Sequence, residues 1–240
     1  MNIIPRVNHF TSIFPYEIVQ EIFFLCRTSP EWGRPECASK HHPPSTNVPL
    51  LLSHVCKTWR SIVHATPALW TDVCIHGRSL HPELLKHILC YSKALPITAC
   101  IAIIGYGKKY AGRLDTCMKA LFCHSARIRS FRLVIKDYHS LWGKCVPIPS
   151  FPRLEELMIR LKNCEDPSAR LDFFLDSPQL QKLTWLSEYP FPEPLLQLGA
   201  QIKELSIRGI TPSFTIFPYR NFAPPLALNK YSVLSHLTDS

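Results

Sequence analysis

Four segments of the chain, IRSFRL (128–133), LEELMI (154–159), LQKLTW (180–185) and IKELSI (202–207), share one arrangement of apolar residues. The first, fourth and sixth positions of each segment are apolar, and most positions between them are polar. The segments begin 26, 26 and 22 residues apart. Repetition at a period of about 20 to 50 residues is typical of chains in which each repeat buries its apolar side chains against the next. We therefore predict a stack of short parallel strands.

Segments with helical spacing of apolar residues lie between strand-like segments. Two such sets precede strand-like runs at 95–104 and 128–135; they are Leu84, Leu85, Ile88 and Leu89, and Leu114, Met118, Leu121 and Phe122. Residues 169–180 and 193–201 are predicted as further helices between the later strands. This alternation and the L-x-x-L-x-L pattern resemble leucine-rich repeats. The ninth repeat position, usually Asn or Cys in that family, is Lys136, Lys162, Glu188 and Ile210 here, so we expect irregular repeats.

The N-terminal 70 residues have a different pattern. In SIFPYEIVQEIFFLC (12–26), apolar residues at helical spacing follow Pro15, which suits the first position of a helix. Residues 27–48 contain four prolines and no apolar periodicity, which predicts a loop. PLLLSHVCKTWRSIVHATPALW (49–70) predicts a helix over 49–63 and a short third helix with Thr66 as its N-cap. The apolar arc of 49–63 is wider than three short helices could bury, so another surface must cover it.

Several residues of this region occur in the order and helical phase of the F-box pattern. They are Phe14-Pro15, Glu17-Ile18, Glu21-Ile22-Phe23, Val55-Cys56, Trp59-Arg60, Pro67 and Leu69-Trp70. On these residues, segment 13–70 resembles an F-box, with Phe14 in place of the family's usual Leu and with an insert at 27–48. The order of F-box, Pro-rich insert and degenerate leucine-rich repeats also resembles a large fungal group of F-box proteins.

The two resemblances together imply an α+β protein in three parts. These are a tail at 1–12, small all-α F-box helices at 13–70 with a Pro-rich insert at 27–48, and an irregular leucine-rich repeat solenoid at 71–240. The solenoid would have parallel strands with helices on its convex side, and we expect it to be shorter than the family's long arrays.

The F-box resemblance implies a protein that is not itself an enzyme. It would be the adaptor subunit of a Skp–cullin–F-box ubiquitin ligase, binding a Skp-type adaptor and through it a cullin–RING ligase. The residues implied for adaptor binding are Phe14, Pro15, Ile18, Ile22, Val55 and Trp59. The repeats would hold a protein substrate on alternate strand positions that face the concave surface. The residues implied for substrate binding are Arg132, Glu156, Met158, Arg160, Lys182, Thr184, Leu186, Glu204, Ser206 and Arg208.

Two other functions are compatible with the sequence. One is an interaction scaffold that binds the Skp-type adaptor without leading to ubiquitination. The other is a nucleic-acid-binding protein, because residues 71–150 carry a net charge of +8, compared with +2 for 1–70 and −1 for 151–240. The Lys and Arg residues of 71–150 are not clustered on one helical face with interleaved aromatic residues, which favours an ordinary solvated surface.

The ten cysteines contain no C-x-x-C pair, and most lie in apolar periodic segments, so we predict reduced, buried thiols. Two Cys/His groups, within 37–42 and 117–124, do not supply four ligands at zinc-finger spacing, and no catalytic motif occurs. We therefore predict no metal, no cofactor and no catalytic residue. No apolar run has the length of a bilayer span, and the N-terminus lacks the layout of a secretory signal. These features predict an intracellular protein of the cytoplasm or nucleus, without a membrane partner.

Overall fold

The computed structural model describes residues 14–27, 47–76, 81–104, 111–138, 150–164, 174–187, 191, 195, 198, 201–208 and 230–233. The helices in these residues are α1 (Tyr16–Leu25), α2 (Asn47–Val55), α3 (Lys57–Ala65), α4 (Pro82–Tyr91) and α5 (Ala111–Phe122). The strands are β1 (Asp72–His76), β2 (Ile97–Ile104), β3 (Ile128–Tyr138), β4 (Glu156–Cys164), β5 (Lys182–Ser187), β6 (Glu204–Arg208) and β7 (Lys230–Val233). Two 3₁₀ turns, Pro67–Trp70 and Ser125–Arg127, precede β1 and β3.

The seven strands form one parallel sheet, and each strand pairs with the next strand along the chain. A parallel pair requires a crossover connection that brings the chain back to the same end of the sheet. Helices α4 and α5 lie in the first two crossovers, where they pack against each other and contribute to the same hydrophobic core as the strands. The predicted mixture of helices with a parallel sheet is therefore confirmed.

The four strands of the repeat pattern occur where the apolar residues place them. Their fourth positions are paired in register across the sheet as Phe131, Leu157, Leu183 and Leu205. Their first positions are all buried, and these are Ile128, Leu154, Leu180 and Ile202. Because successive residues of a strand point to opposite faces, this register gives one face of the sheet a continuous apolar surface.

The same backbone contacts recur in front of the later strands. Turns closed by a hydrogen bond precede β4 and β5, from Leu154 N to Phe151 O and from Leu180 N to Ser177 O, both 3.1 Å. Adjacent repeats are then joined one residue before the strand begins. These bonds run from Glu155 N to Arg129 O (2.8 Å), from Gln181 N to Glu155 O (2.9 Å) and from Lys203 N to Gln181 O (2.8 Å). The backbone hydrogen bonds therefore recur with the same period as the apolar residues of the sequence.

Aromatic rings fill the core where the repeats meet. The centroids of Phe131, Phe151 and Phe174 lie 5.4 to 5.7 Å from one another. Phe122, at the end of α5, lies 6.3 Å from Phe131. Each of these rings comes from a different strand, turn or helix, so the cluster joins α5 to two successive repeats. Aromatic pairs at such distances contribute about 0.5–1.5 kcal/mol beyond the burial of their area.

Helix α2 and helix α3 replace the single helix predicted over 49–63. The chain breaks at Cys56, whose backbone is extended with φ −160° and ψ 171°. The Cys56 sulfur accepts a hydrogen bond from the backbone N–H of Trp59 at 3.4 Å, and Cys56 is therefore the N-cap of α3. The apolar spacing of the sequence gave no sign of this break, because Val55 and Trp59 are four residues apart, as they would be in a continuous helix.

Thr66 takes the N-cap position of the third helix as predicted, but its side chain does not cap that helix. The Thr66 hydroxyl donates to the carbonyl oxygen of Ile62 at 2.7 Å, and so stabilises the end of α3. It makes no capping bond to the following 3₁₀ turn, in which Pro67 takes the first position as expected. Threonine bonds readily to the carbonyl four residues earlier, and this contact competes with capping.

Several predicted segments are described in part or not at all. Of the predicted helix over 169–180, residues 174–180 are described, and they form turns instead. Of the predicted helix over 193–201, residues 195, 198 and 201 are described, and Leu195 is helical while Leu198 lies in a 3₁₀ turn. Most of the loop over 27–48 lies outside the described residues. Strands β1 and β7 were not predicted by the repeat pattern. The signal for β1 was the alternation in DVCIH, where Val73 and Ile75 enter the core.

The cysteine prediction is partly confirmed. None of the seven cysteines whose side chains are described forms a disulfide. Cys74, Cys100 and Cys117 are buried as predicted, whereas Cys26, Cys90 and Cys123 are exposed. Two of the exposed cysteines, Cys26 and Cys123, follow the ends of α1 and α5, where a helical apolar pattern no longer determines which side faces the core.

Candidate docking surface on the N-terminal helices

The start of α1 is determined by Pro15. Its φ of −54° and ψ of 150° lie outside the helical region, and its carbonyl oxygen accepts hydrogen bonds from Ile18 N (3.1 Å) and Val19 N (3.2 Å). Glu17 lies in the first turn, where a negative charge stabilises the helix dipole. The buried residues of α1 are Val19 and Phe23, four residues apart on one side of the helix. This side faces the protein core.

A polar cluster joins the first half of α1 to the end of α3. The Gln20 amide donates to the Thr66 hydroxyl oxygen at 2.7 Å and to the Tyr16 hydroxyl oxygen at 3.1 Å. The Tyr16 and Thr66 hydroxyl groups lie 3.3 Å apart. Because Thr66 in turn donates to Ile62 O, the cluster connects the side of α1 next to its buried residues with the last turn of α3.

A second polar contact holds the other end of α1. The Arg27 guanidinium donates to the Ala68 carbonyl oxygen at 2.6 Å and forms an ion pair with the Asp72 carboxylate. It also lies 5.9 Å from the centre of the Phe24 ring. With Gln20 near one end and Arg27 at the other, α1 cannot rotate about its axis without breaking several hydrogen bonds. The side of α1 that faces outward is therefore defined.

The outward side of α1 is apolar. Ile18 is 45 % exposed and Leu25 is 83 % exposed. Ile22, four residues after Ile18, is partly exposed, and Phe14 and Pro15 precede the helix as exposed residues. Residues at i, i+4 and i+7 lie on one side of a helix, so Ile18, Ile22 and Leu25 form an apolar stripe. Because this stripe is exposed to water, its side chains do not contribute the free energy of burial that Val19 and Phe23 contribute on the opposite side of α1.

Helix α2 has a similar arrangement. Leu52 is buried against the core, whereas Leu51 and Val55 are both 59 % exposed and lie four residues apart. The orientation of α2 relative to α3 is held by Arg60, whose Nε donates to the Ser53 carbonyl oxygen at 2.9 Å. We call the exposed apolar residues of the two helices the docking surface; they are Phe14, Pro15, Ile18, Ile22, Leu25, Leu51 and Val55.

Trp59 differs from the other residues implied for adaptor binding. Its ring lies 4.8 Å from the ring of Phe23, which is fully buried, and Trp59 itself is half-buried. Trp59 therefore packs between α1 and α3 and presents part of its surface outside. Leu25 and Leu51 were not predicted for this surface, although the spacing from Ile18 to Leu25 and from Leu51 to Val55 gave the signal.

The residues implied for substrate binding lie in three rows across the second face of the sheet. The register pairs Glu156 with Lys182 and Glu204, Met158 with Thr184 and Ser206, and Arg160 with Leu186 and Arg208. Arg132 continues the Met158 row onto β3. Arg132 is 3 % exposed and Met158 is also buried, so the part of this face at β3 and β4 is more enclosed than we expected. Glu204 and Lys182 form an ion pair of 3.2 Å.

The described part of the chain contains a further polar cluster beside α4. Arg127 donates to the Ser92 hydroxyl oxygen at 2.8 Å and to the Leu95 carbonyl oxygen at 2.9 Å. Burial, and then the nearby charge of Arg127, lower the pKa of His124 below the usual histidine value. Burial also lowers the pKa of Arg127. These contacts hold the turn between α4 and β2, and they indicate a structural role.

Comparison with protein-family models, with curated proteins and with solved structures finds no match for this chain. Among the helices described here, none is both long enough and apolar enough to span a bilayer.

Proposed function

We propose that this protein is an F-box-type adaptor that recruits a protein substrate to a Skp–cullin ubiquitin ligase. The N-terminal helices would bind a Skp-type adaptor through the docking surface, and the sheet would hold the substrate as an irregular leucine-rich repeat array. In the same proposal, the chain is a subunit that does not itself catalyse a reaction.

The observation that carries the proposal is the exposure of apolar residues at F-box-like positions. Of the six residues that the resemblance implies for adaptor binding, Phe14, Pro15, Ile18 and Val55 are exposed. Core residues of the same motif, such as Phe23, Leu69 and Trp70, are buried. Apolar residues in this order could have served the internal core alone, and exposure of one subset is what an external partner requires.

The energetics favour a surface that works through several residues together. Complete burial of an exposed Ile, Val or Leu side chain contributes about 1.5–3 kcal/mol. Association of two proteins costs about 4–15 kcal/mol in lost freedom of motion. The residues of the docking surface must therefore act jointly, and loss of one of them should weaken binding measurably without abolishing the fold.

The period of the sheet supports the second half of the proposal. Strands that follow one another in chain order, with recurring backbone bonds before β4, β5 and β6, fit the arrangement that a repeat array requires. The second face of the sheet alternates charges along the row of Glu156, Lys182 and Glu204. Such a face offers charge-specific contacts to a polypeptide. Ubiquitin transfer would occur elsewhere in the complex, and this chain would raise the local concentration of the substrate.

The test is co-purification of the full chain with a Skp-type adaptor, using two single variants. Ile18→Asp places an acid in the first turns of α1, and Val55→Lys places a cation at the end of α2, so both charges suit the helix dipole and the fold should be retained. We expect each variant to bind the adaptor at least about tenfold more weakly, the equivalent of one lost anchor.

Leu95→Asp is the matched control. Leu95 is also an exposed apolar residue, but it lies in the turn between α4 and β2. We expect it to leave adaptor binding unchanged, with circular dichroism confirming the fold of all three variants. Failure of the wild-type chain to bind an adaptor, or full binding by both docking-surface variants, would refute the proposal. Binding without any substrate that accumulates when the protein is removed would instead support a scaffold without ubiquitination.

A further inference from the structure

Cys74 of β1 and Cys100 of β2 are direct partners in the register of the parallel sheet. Registered residues on neighbouring strands point to the same face. Neighbouring strands lie about 4.7 to 4.9 Å apart, within the Cα separation of about 4.4 to 6.8 Å that a disulfide spans. Cys74 is 7 % exposed and Cys100 is 6 % exposed, so both thiols are enclosed on this face. Among the described strands, no other two cysteines are registered partners.

We propose that Cys74 and Cys100 form a redox-sensitive thiol pair that hydrogen peroxide converts to a disulfide. One thiol attacks the peroxide, the O–O bond breaks, and a sulfenic acid and one water form. The second sulfur then displaces the hydroxyl group of the sulfenic acid, which leaves as a second water. Two thiols thus lose two electrons and two protons, and one peroxide is reduced to two waters.

The geometry makes this disulfide reversible. Side chains that project in parallel from neighbouring strands have Cβ atoms about as far apart as the strands, whereas a disulfide requires about 3.5–4.5 Å between them. Closure therefore draws the two Cβ atoms together by about 0.2 to 1.4 Å. In the described sheet β1 is the first strand and pairs with β2 alone, so no strand on its other side in that sheet has to move with it. A bridge under such strain is more easily reduced than a relaxed structural disulfide.

Closure would also restrain the connection between the N-terminal helices and the sheet. The bridge closes a loop from Cys74 to Cys100 that contains α4, and a closed loop reduces the freedom of the unfolded chain. β1 begins with Asp72, the partner of Arg27 at the end of α1. Oxidation should therefore raise the melting temperature and hold β1 in the sheet. This inference does not depend on the proposed function.

The test uses the full chain, treated with hydrogen peroxide in its folded state and then denatured with a thiol-blocking maleimide. Trypsin should release Cys74 in the peptide 61–78 and Cys100 in the peptide 94–108, and each of these peptides contains a single cysteine. We expect mass spectrometry to find the two peptides joined after oxidation and separate after treatment with dithiothreitol. The melting temperature should rise on oxidation and return on reduction.

The variants Cys74→Ala and Cys100→Ala should remove both the joined peptide and the rise in melting temperature. Cys90→Ala is the matched control, because Cys90 is an exposed thiol on α4 outside the pair, and it should retain both effects. Recovery of 61–78 and 94–108 as separate maleimide-labelled peptides after oxidation, while other cysteines have reacted, would overturn the proposal. So would a joined peptide that forms only after the chain is unfolded.

Discussion

Arg27 shows how a single residue determines which side of a helix is available to a partner. Its guanidinium contacts Ala68 and Thr71 in the connection from α3 to β1, and Asp72, the first residue of β1. The side chains of Arg27 and Asp72 are each 18 % exposed, so water screens this ion pair less than a pair on the surface. The planar guanidinium can donate to several acceptors at once, which a lysine cannot do.

We therefore expect Arg27→Ala to lower the free energy of unfolding by about 1.5–3 kcal/mol, the usual contribution of hydrogen bonds to a charged group. The loss arises because Asp72 and the Ala68 carbonyl lose their donor. Urea denaturation of the purified chain measures this quantity. Arg27→Lys should recover only part of the loss, since the lysine amino group keeps the charge but lacks the several donors of a planar guanidinium.

Lys86→Ala provides the comparison for Arg27. Lys86 pairs with Glu83 at 2.8 Å, but both side chains are more than half exposed. A surface pair of this kind contributes little to stability, because water and salt screen its charges, so Lys86→Ala should change the free energy of unfolding much less than Arg27→Ala. If the two substitutions had equal effects on stability, the structural role assigned to Arg27 would be incorrect.

Among the helices and strands, the break between α2 and α3 determines the shape of the docking surface. Cys56 is an unusual N-cap, since sulfur is a weak hydrogen-bond acceptor compared with the oxygen of Ser or Asp. The break changes the direction of the chain after Val55, and Val55 consequently ends α2 as an exposed residue. A continuous helix would have placed Val55 and Trp59 on one uninterrupted side.

We expect Cys56→Ser to maintain or raise the melting temperature, because a hydroxyl oxygen is a better acceptor for the Trp59 N–H. Cys56→Ala should lower stability by about 0.5–2 kcal/mol, the usual cost of losing an N-cap. Thermal unfolding followed by circular dichroism distinguishes the two variants. A Cys56→Ser protein as unstable as Cys56→Ala would show that the sulfur contributes by packing and not as a cap.

The elements also show what the sequence could predict and what it could not. The strands at 128–133, 154–159, 180–185 and 202–207 were predictable because their apolar positions recur with the alternation of a half-buried strand. The side chains of the docking surface were partly predictable, since Ile18 and Val55 belong to a recognisable motif. The chain break at Cys56 depends on one backbone conformation and one weak hydrogen bond, and neither has a signal in apolar spacing.

The enclosure of Arg132 was beyond prediction for a different reason. Alternation tells which face of a sheet a residue lies on, but its exposure depends on what surrounds that face. Arg132, Met158 and Cys100 lie in one row and are all buried. Sequence spacing places the row correctly, while the degree of burial depends on the surroundings of that face, which apolar spacing does not encode.

In the whole molecule, the N-terminal helices and the sheet share one core. The indole N–H of Trp70 donates to the Val63 carbonyl oxygen at 2.9 Å, and the Trp70 ring stacks on Tyr91 of α4 with centroids 4.8 Å apart. The Tyr91 ring also stacks with His64 of α3 at 4.6 Å, and His64 lies 6.0 Å from Trp70, so the three rings form one cluster. These rings connect α3 with α4, and the hydrophobic core continues from Phe23 to the strands. The helices are thus not an independent unit.

We expect Trp70→Ala to destabilise the whole molecule by about 3–5 kcal/mol, as for other large aromatic residues removed from a core. Trp70→Phe should cost less, about 1 kcal/mol for the lost hydrogen bond, because the stack with Tyr91 is retained. Tryptophan fluorescence and circular dichroism should report one coincident unfolding transition in the wild type. Two separate transitions in the wild type would show that the helices and sheet unfold as independent units.

The order of the strands has a consequence for how such a chain can change over generations. Because each strand in the sheet contacts the strands immediately before and after it, a unit added or deleted between β4 and β5 would meet the same turn, the same register and the same buried leucine on both sides. Duplication or deletion of a gene segment within this region can therefore lengthen or shorten the sheet one strand at a time, while the helices at the N-terminus keep their surface unchanged.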